Sequence, residues 1–122
     1  MNSYQKDERN KAIAFRVARG RRKGATCLCD CCGINEGTTQ HEIFPRGLTR
    51  EGTEKRDACL HHTVLAMLCP TCHSEIQSDP NANRELLEFN RALFGDAVNE
   101  HIRYMRGIGV RTSFQERDVD VE

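Results

Sequence analysis

The chain has 122 residues, room for one domain and too few for two comfortable ones. Eighteen Lys and Arg cancel eighteen Asp and Glu, and only 38% of the residues are apolar, with five Phe, two Tyr and no Trp. So thin a supply of core excludes a large hydrophobic fold. Seven cysteines are more than packing requires and too few for a disulfide scaffold.

Residues 1–24 carry eight basic side chains against Asp7 and Glu8, a local charge of +6. Ala12, Ile13, Phe15, Val17 and Ala18 fall among these charges at roughly helical spacing, which predicts a basic N-terminal helix ending near Gly20. Such a helix is either a solvated face or a phosphate-contacting arm. Arg19, Arg21, Arg22 and Lys23, on a tip bounded by glycines, suit the arm. Residues 25–40 read as turns, His41 to Phe44 as a short strand, Pro45 to Asp57 as a polar loop and Val64 to Leu68 as a buried strand. Ser78 or Asp79 then caps a helix with Pro80 in its first turn and Leu86, Leu87, Phe89, Leu93 and Phe94 as its apolar face. Gly95 ends or kinks it, and Ala97 to Arg106 forms a second helix. The last eight residues carry Glu116, Asp118, Asp120 and Glu122 against Arg117, a local −3, and the tail beyond Arg111 reads as unstructured.

The first eleven residues are polar, and the longest apolar run is Val64 to Cys69. The expectation is therefore a cytoplasmic protein with no membrane segment. In a reducing compartment an odd number of cysteines favours thiolates held by metal over disulfides. Cys29-x-x-Cys32, followed by Gly33, and Cys69-x-x-Cys72 are two knuckles, and each aims two sulfurs at one point. Together they predict a structural Zn²⁺ on Cys29, Cys32, Cys69 and Cys72, whose binding energy would supplement the small core. Cys27 and Cys31 lack the spacing with glycine next, and Cys59 reads as a small buried hydrophobe or free thiol. Thirty-six residues separate Cys32 from Cys69, too many for a simple zinc ribbon.

That interval holds His41-Glu42-Ile43-Phe44-Pro45-Arg46, a loop, and then His61-His62-Thr63 leading through an apolar strand into Leu68-Cys69-Pro70-Thr71-Cys72-His73. The order resembles the HNH endonucleases over about residues 27 to 77. The resemblance implies a small zinc-stabilised ββα-metal (HNH-like) core at residues 25–78; with the basic helix at 1–24, the C-terminal helices at 79–108 and a flexible tail at 109–122, which the resemblance does not cover, the expected fold is α+β. It also implies metal-dependent hydrolysis of DNA phosphodiester bonds, as in phage recombination or packaging, in a small protein of phage or prophage type acting in a host cytoplasm.

Carried over residue by residue, the resemblance makes His41 and His73 ligands of a catalytic Mg²⁺ or other divalent ion and places Glu42 where the general base usually stands. The alternative has His41 as base and Glu42 as a hard oxygen ligand. The family's central Asn is missing between His41 and His73, and His62 is assigned its orienting role. Arg46 joins the phosphate contacts. DNA is the expected partner. A weakened domain that binds DNA without cutting it, or a module that binds a host or phage protein, are the other expectations, with the C-terminal helices as interface or homodimer contact.

Overall fold

The computed structural model describes residues 2–44, 53–76 and 79–112. Within them the chain is α+β, with five helices and two small antiparallel sheets.

Helix α1 (Ser3–Ala18) starts at Asn2, whose side chain accepts the Gln5 N–H at 2.9 Å while Gln5 reaches back to the Asn2 N–H, a capping box. Its buried face differs from the apolar one the sequence suggests. Gln5, Glu8, Ala12 and Arg16 are buried, a largely polar stripe of helical spacing, while Ile13 and Val17 pack beside it on a small cluster of Ala12, Cys27 and Met67. A polar helix face can be buried only where partners satisfy it, and every charged group on this one has such a partner.

Strands β1 (Arg22–Lys23) and β2 (Thr26–Cys27) form a tight hairpin, with Gly24 at φ +60° in its turn. The second sheet pairs β3 (Thr39–Glu42) with β4 (Leu65–Leu68) in the register Thr39↔Leu68 and His41↔Ala66. All four residues of β4 are buried, as expected of a strand covered on both faces. Gly37, just before β3, lies where a Cβ would come within 3.0 Å of the Leu28 and Met67 carbonyl oxygens, so this crossing of backbones requires glycine.

Part of the expected polar loop is helical: α2 (Glu54–Cys59) is capped by Thr53, whose side chain accepts the Arg56 N–H. One turn of 3₁₀ helix at His62–Val64 leads into β4, and α3 (Pro70–Ile76) follows at once. Helix α4 (Pro80–Phe94) starts at Asp79, whose carboxylate accepts the Asn81 N–H at 2.9 Å. Gly95 at φ +68° turns the chain into α5 (Ala97–Gly107). The core gathers Ile43, Phe44, Val64, Leu68, Leu87, Val98, Ile102 and Met105 around the β3–β4 hairpin. Val110 and Thr112 are also buried, so packing continues past the expected start of the tail; residues 113–122 lie outside the described residues. No described helix is long and apolar enough to cross a membrane.

Candidate metal centre and histidine pair

The two knuckles meet. The ligand atoms of Cys29, Cys32, Cys69 and Cys72 all lie within 4.8 Å of one another. A tetrahedral ion with Zn–S bonds of about 2.3 Å spaces its sulfurs about 3.8 Å apart, so the four residues fit zinc with small adjustment. All seven cysteines are free thiols.

Backbone geometry builds the clamp. Gly33, at φ +66°, closes the first knuckle by donating its N–H to the Cys29 carbonyl at 3.0 Å. The Cys29 N–H reaches the Asn35 carbonyl and the Asp30 N–H the Met67 carbonyl, each at 2.8 Å, which fastens this knuckle to β4. The second knuckle straddles the junction of β4 and α3, and the Cys72 N–H points at the Cys69 sulfur, 3.5 Å away. Amides aimed at sulfur favour thiolate: those of Asn35 and Ile34 pull Cys32 down to about 6, and that of Cys72 lowers Cys69. Burial pushes Cys29 and Cys72 the other way. Charge crowded in a desolvated space is what a divalent cation relieves.

Of the other thiols, Cys31 is exposed, while Cys27 and Cys59 are buried and burial raises both, Cys59 to about 11. Asp30, inside the first knuckle, is held from outside it. Arg16 donates from Nε to Oδ1 and from Nη2 to Oδ2 of Asp30, both at 2.8 Å, and both side chains are fully buried. Arg16 also donates to Ala12 O and to Asn90 Oδ1, and Asp30 Oδ2 accepts the Met67 N–H at 3.0 Å. One residue of the supposed basic arm is thus a core strut joining α1, the knuckle and β4.

Beside the clamp lie two histidines. His41, buried on β3, meets His73, half-buried on α3, edge to face with ring centroids 5.2 Å apart. Burial lowers the His73 pKa, which favours neutral imidazole. His41 Nε2 stands 2.7 Å from Oδ1 of Asn83 on α4. With the proton on Nε2 donated to that oxygen, Nδ1 keeps its lone pair.

The remaining expected site residues lie elsewhere. Strand alternation turns Glu42 away from His41, and its carboxylate takes two hydrogen bonds from buried Arg56, at 2.5 and 2.7 Å. His62 faces α1, with Nδ1 2.8 Å from Glu8 Oε1 and its ring against Phe15 and Phe94. Arg19 folds over the Phe15 ring at 4.2 Å, and half-buried Arg21 lies over Phe89 and donates to the Cys29 carbonyl. Arg22 and Lys23 are exposed and donate to the Gly24 and Ile34 carbonyls. Arg46 lies outside the described residues.

Asn83, Glu8 and Arg16 are missed by sequence reasoning. Asn83 sits ten residues beyond His73 in a helix that carries no motif, so only the packing of α4 on the hairpin reveals it. No protein-family model, curated protein or solved structure matches the chain.

Proposed function

We infer that this chain is a zinc-clamped, HNH-like nuclease domain that hydrolyses DNA phosphodiester bonds with the help of a second divalent ion. The observation that carries this reading is a β-hairpin running into a helix beside the four-cysteine cluster, with His41 on the strand and His73 on the helix facing each other at 5.2 Å. His41 is the residue placed to take a proton from water. In the tautomer whose Nε2–H donates to Asn83 Oδ1, the Nδ1 lone pair is left to accept that proton. His73 would offer a ring nitrogen to the ion, and imidazole donors suit Ni²⁺ or Zn²⁺ better than Mg²⁺ or Mn²⁺. Such an ion would supply positive charge against the scissile phosphate and the departing oxygen. Glu42, bound to Arg56, is a structural carboxylate in this scheme, and Asn83 takes the orienting role first assigned to His62.

Binding without cleavage is the second reading. Exposed Arg19, Arg22 and Lys23 near one end of α1 favour it.

Plasmid DNA incubated with Mg²⁺, Mn²⁺ or Ni²⁺ distinguishes the two. Nicking that His41→Ala and His73→Ala abolish while zinc content is retained supports the nuclease. Salt-sensitive binding with no cleavage under any of these ions refutes it.

A further inference from the structure

Away from the clamp and the His41–His73 pair, α1 and the segment before β4 bring together a second group of ligating side chains. Glu8 is buried, its side chain only 4% exposed, on the polar face of α1. His62 Nδ1 lies 2.8 Å and His61 Nε2 3.9 Å from the same oxygen, Glu8 Oε1. We propose that Glu8, His61 and His62 form a second metal site, binding a borderline divalent cation such as Zn²⁺ through one carboxylate oxygen and two imidazole nitrogens.

The distances suit such an ion. Tetrahedral zinc with bonds of about 2.0 to 2.1 Å spaces its nitrogen and oxygen ligands about 3.3 Å apart, between the two separations seen here. The donor set of two imidazoles and a carboxylate matches zinc and its neighbours in the first row rather than calcium or magnesium. Three protein ligands leave a further position for water or an incoming group, the pattern of an open zinc site. His61 also lines a cavity of about 560 Å³ together with Tyr4, Asp57, His101 and Tyr104.

The surrounding groups orient each ligand as metal sites require. Thr63 flanks His61 Nδ1 with its Oγ1 at 2.8 Å and its backbone N–H at 3.4 Å, and in the tautomer that donates to Oγ1 the Nε2 lone pair is left for the ion. His101 stacks on the His61 ring with centroids 3.9 Å apart and planes within 16°, and its own Nε2 donates to the Ala58 carbonyl at 2.7 Å. Lys11 Nζ binds Glu8 Oε2 at 3.0 Å, while Oε1 accepts the His62 backbone N–H at 2.8 Å and would turn its second lone pair to the ion. His62 Nδ1 now donates to Glu8 Oε1; with the ion bound, that ring carries its proton on Nε2 instead, so the exchange balances without an added reactant. Burial, the largest influence on His61, brings it down to about 4, and Glu8 is lowered to about 2 by hydrogen bonds from His62 and Lys11 that outweigh its burial. The ion would join α1 to the segment that leads into β4.

Co²⁺ titration of protein whose cysteine clamp already holds one equivalent of Zn²⁺ tests the proposal. The His73→Ala protein is used, so that uptake at the His41–His73 pair is not counted. The expected result is one further equivalent of Co²⁺ with the visible d–d absorption of an N/O site and no thiolate charge-transfer band. Glu8→Gln and His61→Ala should each weaken that uptake by about a hundredfold or more, beyond the range of about 10- to 100-fold that outer-shell substitutions cost. Glu8→Gln keeps the shape and the acceptor for the His62 N–H, and retained zinc and circular dichroism confirm that each variant is folded. Paramagnetic broadening of the His61 and His62 ring resonances, measured without any substitution at these residues, gives a second readout. No further uptake, uptake unchanged by both variants, or broadening elsewhere overturns the site.

Discussion

Replacing Arg16 with Met separates two accounts of the basic N-terminal segment. In the structure the guanidinium is fully buried, paired with Asp30 through two hydrogen bonds of 2.8 Å, and packed near the Phe89 and Phe94 rings. Arg16→Met strands the Asp30 carboxylate in a fully buried site and leaves Asn90 Oδ1 short of a donor. Removing one partner of a buried ion pair costs about 3 to 5 kcal/mol. For a chain of this size that lowers the melting temperature by roughly 10 to 25 °C. Denaturant unfolding of the zinc-loaded protein measures the loss. Arg16→Met/Asp30→Asn removes the stranded charge yet keeps an acceptor for the Met67 N–H, and should regain at least about 2 kcal/mol of it. The reasoning fails if Arg16→Met costs under about 1 kcal/mol and instead weakens DNA binding, as a surface arm residue would.

Other outcomes follow from the same contacts. With zinc bound, a maleimide should modify exposed Cys31 first, while buried Cys27 and Cys59 stay unreacted at pH 8, because burial holds the Cys59 thiol near 11; mass spectrometry of digested protein reads this directly. Gly37→Ala should destabilise the fold by about 1 to 3 kcal/mol in denaturant melts, since its Cβ would press on two backbone carbonyls at 3.0 Å. Chelation of zinc should disorder the β3–β4 hairpin together with α3, seen as lost amide protection of Ala66 and Met67, and restored zinc should reverse it.

The cysteine knuckles were legible because C-x-x-C spacing is local: each pair is set by one turn, and only their meeting needs the fold. The helices α4 and α5 were legible for a similar reason, from the Asp79-Pro80 start, Gly95 and the apolar spacing between. Helix α2 was hidden because Glu54–Cys59 is short and mostly charged, and its helical state depends on the Thr53 cap and on the pairing of Arg56 with Glu42. The buried polar face of α1 is not legible in the sequence, because burial of Glu8 and Arg16 follows from partners 54 and 14 residues away, outside any helical pattern. Long-range pairing also separates the site residues: alternation on β3 sends His41 to Asn83 and Glu42 to Arg56, although they are neighbours in the chain.

Four thiolates from two distant knuckles are placed to close on one ion and so to hold the hairpin and helix that carry His41 and His73. X-ray absorption at the zinc edge, on protein holding one equivalent of Zn²⁺, tests it most directly. A shell of four sulfurs at about 2.3 Å is expected, lost in Cys29→Ser and Cys72→Ser. A shell dominated by nitrogen and oxygen, or one unchanged by either substitution, would contradict it.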